Sequence, residues 1–363
     1  MNKEKQPKFM VRIKCATFNH VNYITDAMNG FTMQETNFPF VCTIIDDAST
    51  DGEQEVIRQY LQEHFDLEDK SVVRNEETDD YVLTFAQHKT NRNCYFAVLY
   101  LKYNHYSIKK SKDPYIKDWT DVKYIAMCEG DDFWTHPKKL QMQYDVLEKH
   151  SDCHICFGCT ERISKDGRLK GSFMPADMSR ISNVINLEDF CREQFTIGQW
   201  IFHTSSFFYD IYVFEKLNKL KDNVLKGFPY GDICIILTGL LIGNGVFVNE
   251  KMSNYRILSG GFNSKMKTNP QFAIQVEEKL IKGLHDYDKY TEYKYHKHIE
   301  NRILRSRCII DYHKGGENGL VFFKPQYWKI AKMQGLRTTI LMALQTVMPR
   351  PYYFLKRILK GNE

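Results

Sequence analysis

The sequence predicts an α/β fold, a mostly parallel sheet flanked by helices, and three observations predict it. Short apolar runs alternate with helix-like stretches through the first hundred residues, the pattern of βαβ units. Polar and acidic clusters follow the apolar runs at Thr17–His20, Asp46–Gly52 and Glu129–Asp132, and ligands in such sheets bind beyond the carboxyl ends of strands. From Pro270 onward the pattern turns helical and charged and carries no such cluster.

Taken in order, Met10 to Ala16 reads as the first strand and Val21 to Phe31 as the helix after it. Phe40 to Ile45 is the second strand, and the turn-forming, helix-capping run Asp46–Gly52 leads into a helix from Glu53 to Glu63. Asp69 to Asn93 is polar and reads as an irregular excursion. Cys94 to Leu101 and Tyr124 to Cys128 are the next strands, the latter delivering Glu129-Gly130-Asp131-Asp132. Pro137 to His150 has helical periodicity, with Leu140, Tyr144 and Leu147 on one face. Strands are expected at Ile155–Ile163, Phe202–Tyr209 and Val246–Val248, a helix at Ile233–Ile242, and a closing loop at Tyr255–Gly261. These readings divide the chain into a sheet domain over 1–265 and a C-terminal helical extension over 266–363.

Composition narrows the function. With 363 residues and 43% hydrophobic content the chain buries a large core, which excludes a disordered or fibrous protein. Fifty Lys and Arg against 45 Asp and Glu are too even for a nucleic-acid binder. The cations are concentrated at the end: Val321 to Glu363 holds eight basic residues and one acid, leaving a mildly acidic body. Apolar residues at Ile330, Met333, Leu336, Ile340, Leu344 and Val347 give Tyr327–Met348 a helical stripe, and Tyr352 to Lys360 forms a second amphipathic piece after Pro349 and Pro351. Such a tail suits peripheral contact with an anionic inner-membrane leaflet; a packed helical cap or a dimer contact are the alternatives. The polar start, Met1 to Lys8, has no leader character, so a cytoplasmic location is expected. Ile233 to Val248 is too short for the roughly 20 residues of a membrane span. Ten scattered cysteines fit reduced core thiols; Cys153, Cys156 and Cys159 have suggestive spacing, with His150 or His154 as a fourth zinc ligand, but they fall in an expected buried strand.

The acidic clusters carry the chemistry. Hard divalent cations such as magnesium or manganese take oxygen ligands and share substrate phosphates, so one or two carboxylates suffice. Backbone alternation projects Glu129 and Asp131 to one side and Asp132 to the other. Either cluster alone reads as helix-start chemistry, and two at the strand ends of one sheet repel unless something cationic lies between them.

The run Thr17-Phe18-Asn19-His20, with Tyr23 and Ile45-Asp46-Asp47-Ala48-Ser49-Thr50-Asp51-Gly52, resembles the opening of family 2 glycosyltransferases with the Rossmann-like GT-A fold. Tyr124 to Thr135, around Glu129-Gly130-Asp131-Asp132, resembles the metal motif of bacterial surface-polysaccharide members, and the similarity covers about residues 9 to 265. The resemblance implies an inverting transferase that moves a sugar from a nucleotide-sugar donor, UDP-linked, to a hydroxyl of a glycan or lipid-linked acceptor. It places Thr17 and Asn19 near the nucleotide, Asp47 on the base, Glu129 toward ribose or metal-bound water, and Asp131 on the metal. Asp232, opening a helix after Gly231, matches the general base, and helix N-cap is its other reading. Arg256 matches a loop that closes over the diphosphate, while Leu258 stands where members often have a His. Thr204-Ser205-Ser206 falls toward the acceptor side, and Lys109 and Lys110 read as phosphate ligands or a solvated basic turn. A sugar nucleotidyltransferase and a catalytically degenerate membrane-associated partner protein remain as alternatives; the first would need a Gly-rich phosphate loop, which Thr17–His20 is not.

Overall fold

The computed structural model describes residues 9–177, 179, 181–316 and 318–347. Its strands are β1 (Val11–Thr17), β2 (Phe40–Asp46), β3 (Phe65–Asp66), β4 (Arg74–Glu77), β5 (Tyr81–His88), β6 (Cys94–Leu101), β7 (Tyr124–Met127), β8 (Phe133–Trp134), β9 (Cys153–Ile163), β10 (Leu169–Met174), β11 (Val184–Ile185), β12 (Phe208–Asp210) and β13 (Asn244–Arg256). The helices are α1 (Ile24–Thr32), α2 (Glu53–His64), α3 (Lys139–Lys149), α4 (Leu187–Cys191), α5 (Ile211–Leu220), α6 (Gly231–Ile242), α7 (Phe262–Thr268), α8 (Pro270–Tyr290), α9 (His296–Lys314), α10 (Trp328–Gln334) and α11 (Leu336–Val347).

One mixed sheet runs in the order β11-β13-β9-β12-β7-β1-β2-β6-β5-β3. Its centre, β7-β1-β2-β6, is parallel, as the βαβ pattern requires. Alternation splits β1 between two environments: Val11, Ile13 and Cys15 join the core with Phe31 of α1, Ile57 of α2 and Leu140 of α3, while Arg12 and Lys14 point to the other face. In-register pairing of Thr17 with Asp46 brings the first two polar clusters to one edge.

Three expectations are corrected. Asp69–Asn93 is not an irregular excursion: β4 and β5 form an antiparallel hairpin that continues the sheet beyond β6. Alternating charged residues on β4, half-exposed in Arg74-Asn75-Glu76-Glu77, hide the strand signal because this edge faces water. Phe202–Tyr209 yields only β12, preceded by a tight 3₁₀ turn at Thr204–Ser206. The loop expected at Tyr255 and Arg256 is instead the end of the long strand β13, which also pairs with β8.

The chain falls into two compact units. The first holds the sheet, with residues up to Asn186, Ile201–Leu217 and Ile235–Ile257. The second holds Leu187–Trp200, Asn218–Cys234 and the chain from Leu258, so two segments inside the expected sheet domain group with the helices. Within the second unit α8 packs on α9, joined by Glu277, which takes Arg302 at 3.0 Å and the Ser306 hydroxyl at 2.6 Å. The single helix expected over Tyr327–Met348 is two, α10 and α11, broken at Gly335, whose φ of 90° suits glycine. The amphipathic piece Tyr352–Lys360 lies outside the described residues. Among the described residues no helix is long and apolar enough to cross a membrane.

Lys139 is a buried cation in the sheet unit. It is fully buried at the start of α3, with its ammonium 2.6 Å from Gln143 and 4.1 Å from the Trp134 ring centroid. Burial lowers its pKa from 10.5 to about 7. The folded pKa is depressed, so its stability contribution is present above 10.5 and lost as pH falls toward about 7. Lys139→Met is therefore expected to raise unfolding free energy at pH 7 by on the order of 1 to 3 kcal/mol, shrinking at pH 10, in denaturant titrations at the two pH values.

Candidate functional site

The site is built at the carboxyl ends of β1, β2 and β7. After β1 the chain turns through Asn19, held at φ 57°, and Asn19 Oδ1 accepts the Thr50 amide at 2.9 Å while its own amide donates to Ser49 Oγ at 2.9 Å. Asp47 N donates to Thr17 O at 3.0 Å. The first residue of α2, expected only as a helix start, locks the two loops together: Glu53, fully buried, accepts from the Thr17 hydroxyl, from His20 N at 2.8 Å and from Ser49 Oγ at 2.8 Å. Burial raises its pKa against those hydrogen bonds. Thr50-Asp51-Gly52-Glu53 has the spacing of a capping box, which disguises Glu53 as a local helix-start residue.

Asp47 is 3% exposed, and its carboxylate accepts His105 N at 2.8 Å and Tyr106 N at 3.0 Å and pairs with Lys112 at 2.9 Å. It therefore fastens the 104–112 segment, which covers a cavity of about 750 Å³. Lys14, Ala16 and Ile45 line this cavity from the strands, and Lys109, Lys110 and Lys112 line it from the covering segment. Lys110 pairs with Asp80 at 2.7 Å. Burial lowers the pKa of Lys14, whose nearby charges include Glu129 and Asp113. Lys14 sits inside a strand that reads as core, so nothing in its immediate pattern marks it as a cavity residue.

The acidic turn follows β7. Gly130 N donates to Ala16 O at 3.1 Å and Asp132 N to Glu129 O at 3.1 Å, so the turn is laid against the end of β1. A Cβ on Gly130 would lie 2.1 Å from Thr17 Oγ1 and 2.6 Å from Thr17 Cβ. Gly130→Ala is expected to cost about 1–3 kcal/mol in thermal or chemical unfolding by overpacking this contact.

Glu129 and Asp131 are partly exposed and Asp132 is buried. Asp131 lies 3.8 Å from His20 Nε2. Asp132 accepts the Arg256 amide at 2.9 Å and approaches His203 Nδ1 at 3.5 Å. Burial first, then the charges of Asp131 and Glu129, push the Asp132 pKa well up, while burial pushes His203 down to about 3 and keeps it neutral. The donor set suits a hard cation held by Glu129 and Asp131 with substrate phosphate completing the shell. The three carboxylates do not form a preassembled three-ligand group; among the described residues that spacing occurs at His150, Asp152 and Cys153, all within 4.8 Å in the turn before β9. Asp152 there already accepts from Asn244 at 2.8 Å.

Arg256 is 4% exposed, and its guanidinium donates to Asp131 O at 3.1 Å, Lys165 O at 3.3 Å and Asp26 Oδ2 at 2.7 Å, over the Tyr23 ring at 4.7 Å. In this conformation it braces the acidic turn beside a polar cavity of about 890 Å³ that it lines with Tyr23, Asp26, Phe133 and Arg168. Ser205 and Ser206 are fully buried, with Ser205 Oγ 3.2 Å from Ser253 Oγ and Ser206 Oγ donating to His203 O at 2.8 Å, so they hold the 3₁₀ turn internally rather than facing an acceptor. The zinc spacing does not converge: Cys153 and Cys156 lie in the core, whereas Cys159 has Glu161 and Lys251 as neighbours. All ten cysteines are buried free thiols.

Asp232 stands in the first turn of α6, in the second unit. Its Oδ1 accepts Ile233 N at 2.7 Å, and burial raises its pKa to about 6. Leu258 begins the last segment of that unit.

No family model matches the chain. Uncharacterized proteins of Mycobacterium bovis and Mycobacterium tuberculosis are 29% identical over 164 residues, 45% of this chain and 39% of theirs. Among solved structures, Staphylococcus aureus TarS 1-349 with UDP-GlcNAc overlaps at TM-score 0.44 and 12% identity, covering 85% of this chain and 93% of that 1-349 chain. The Pyrobaculum calidifontis mannosyltransferase with GDP-Man and Mn2+ overlaps at TM-score 0.44 and 12% identity, over 96% and 89% of the two chains. The chain thus spans about two fifths of the length of the mycobacterial relatives, 39%.

Proposed function

We propose that this chain is a GT-A-type glycosyltransferase that moves a hexose or N-acetylhexosamine from a nucleotide-sugar donor, UDP-linked, to a hydroxyl of a surface glycan or lipid-linked acceptor. One observation carries the reading: Thr17 and Asn19, Asp46 and Asp47, and Glu129 and Asp131 gather at the ends of adjacent parallel strands beside a lysine-lined cavity. Acids at the strand ends and lysines in the neighbouring cavity suit a ligand that carries both phosphates and a cation. The nucleoside end enters the cavity by Asp47, with Lys14 and Lys112 toward its oxygens. Glu129 and Asp131 would hold a manganese or magnesium ion, which would supply Lewis-acid stabilisation of the diphosphate as leaving group. Arg256 acts by holding the Asp131 backbone.

In the reaction the acceptor oxygen attacks the anomeric carbon from the side opposite the diphosphate, the bond from that carbon to the phosphate oxygen breaks, and Asp232 takes the hydroxyl proton. The configuration inverts. Asp232 suits this work because a carboxylate with a pKa of about 6 is ionised at neutral pH yet more basic than an ordinary Asp. The sequence resemblance supplies the assignment of Asp232. A nucleotidyltransferase is disfavoured because the β1–α1 turn is braced by Glu53 rather than open and glycine-rich.

The test is release of nucleoside diphosphate from a panel of UDP-, GDP- and dTDP-sugars with manganese. Turnover of one sugar nucleotide is the expected result. Conversion only of a sugar phosphate plus nucleoside triphosphate would replace this reading with nucleotidyl transfer.

A further inference from the structure

The last described elements of the helical unit carry a surface that the sugar-transfer chemistry does not use. From Asn318 to Asn362 the sequence holds eight Lys and Arg and no acid. The 3₁₀ turn Gly319–Phe323 buries Val321 and Phe322 against Cys308, Tyr327 and Ile330. Leu320 and Phe323, three apart, eclipse on the outer side of such a turn and are 45% and 43% exposed. On α10 the inner residues Ile330 and Ala331 are buried, while Trp328 is 59% exposed. Lys332, one turn on, lies 5.8 Å from the Trp328 ring centroid. Lys324 and Lys329 are also exposed, reaching Asp311 at 3.8 Å and Asn301 respectively. The Gly319 amide donates to Thr346 Oγ1 at 2.8 Å, which sets Val347, 56% exposed, beside the same turn.

We propose that Leu320, Phe323 and Trp328, together with the exposed Lys324 and Lys332, form a docking surface for an anionic lipid bilayer. Each part has its counterpart there. Tryptophan and phenylalanine settle at the headgroup level, aliphatic side chains reach the acyl boundary, and lysines meet lipid phosphates. Charge disfavours a second copy as occupant: a two-fold contact sets a patch against itself, which here would oppose Lys324 and Lys332 to their own copies, with Asp311, already 3.8 Å from Lys324, the acid beside them. The surface belongs wholly to the helical unit, so the inference stands whatever the site on the sheet does.

The experiment is co-sedimentation of the full chain, without nucleotide or metal, with vesicles of phosphatidylcholine alone or mixed equally with phosphatidylglycerol. Binding to the mixed vesicles is expected, weakened by salt, with a blue shift of Trp328 fluorescence that Trp328→Phe removes. Lys324→Gln with Lys332→Gln should weaken binding about 25-fold, taking about fivefold per lysine near an anionic surface. Phe323→Ser with Trp328→Ala should weaken it by about tenfold or more. All four side chains are exposed, so unchanged melting of the variants separates lost docking from lost folding. No binding to the mixed vesicles, equal binding to both kinds, or a concentration-dependent dimer abolished by Trp328→Ala would each overturn the proposal.

Discussion

Asp131→Asn is expected to lower turnover of the donor about a thousandfold while leaving the fold in place. Asp131 is partly exposed and makes one long approach, 3.8 Å to His20, so its charge contributes little to folding. Its neighbour is the contrast. Asp132 is buried and accepts the Arg256 amide, so Asp132→Ala is expected to cost about 1–3 kcal/mol of stability by leaving that donor unpaired. If Asp131 directs a cation to the diphosphate, its loss removes the several kcal/mol that a Lewis acid supplies at the leaving group. Kinetics and melting curves of the two variants, run side by side, check this. Equal turnover by wild type and Asp131→Asn would remove the carboxylate from the mechanism.

Asp232→Asn carries the second large effect, a fall in kcat of about 10² to 10⁴, the usual worth of a positioned general base. The substitution is chosen because Asn keeps an oxygen for the Ile233 amide, so a residue serving only as a helix cap would lose nothing. The pH profile sharpens the distinction. Wild-type activity should fall as pH drops below about 6, where the carboxylate takes up its proton, and the Asn variant should lack that acid limb. Stability runs the other way. The folded pKa of about 6 lies above the ordinary 3.8, so the contribution of Asp232 is present at low pH and lost as pH rises through about 6. At pH 8 the Asn variant should be as stable as wild type or more so, which would separate an activity loss from unfolding.

The parallel centre of the sheet was legible because its strands are buried on both faces and write themselves as unbroken apolar runs, Phe40–Ile45 and Cys94–Leu101 above all. The acidic turn was legible because Glu129-Gly130-Asp131-Asp132 interrupts such a run abruptly. What escaped lay where polar residues have structural work. β4 is an edge strand whose side chains meet water, so it has no apolar signature. Arg256 reads as a loop residue able to reach a phosphate, yet its hydrogen bonds run to Asp131, Lys165 and Asp26, positions that only folding brings near. Glu53 and Lys14 act across strands: one closes two loops 36 residues apart, and the other sits inside a β-strand facing a cavity whose cover begins at His105. Local spacing carries no record of such partners.

A nucleotide-sugar site completed by a metal on Glu129 and Asp131 is probed by melting the purified chain with nucleotides and sugar nucleotides, with and without manganese, in wild type and Asp131→Ala. A ligand at a hundredfold excess over its dissociation constant stabilises the native state by about 2.7 kcal/mol, a readily seen shift. The expected result is a manganese-dependent rise with UDP or a UDP-sugar that disappears in Asp131→Ala. No rise with any nucleotide, or a rise that Asp131→Ala retains in full, would contradict it.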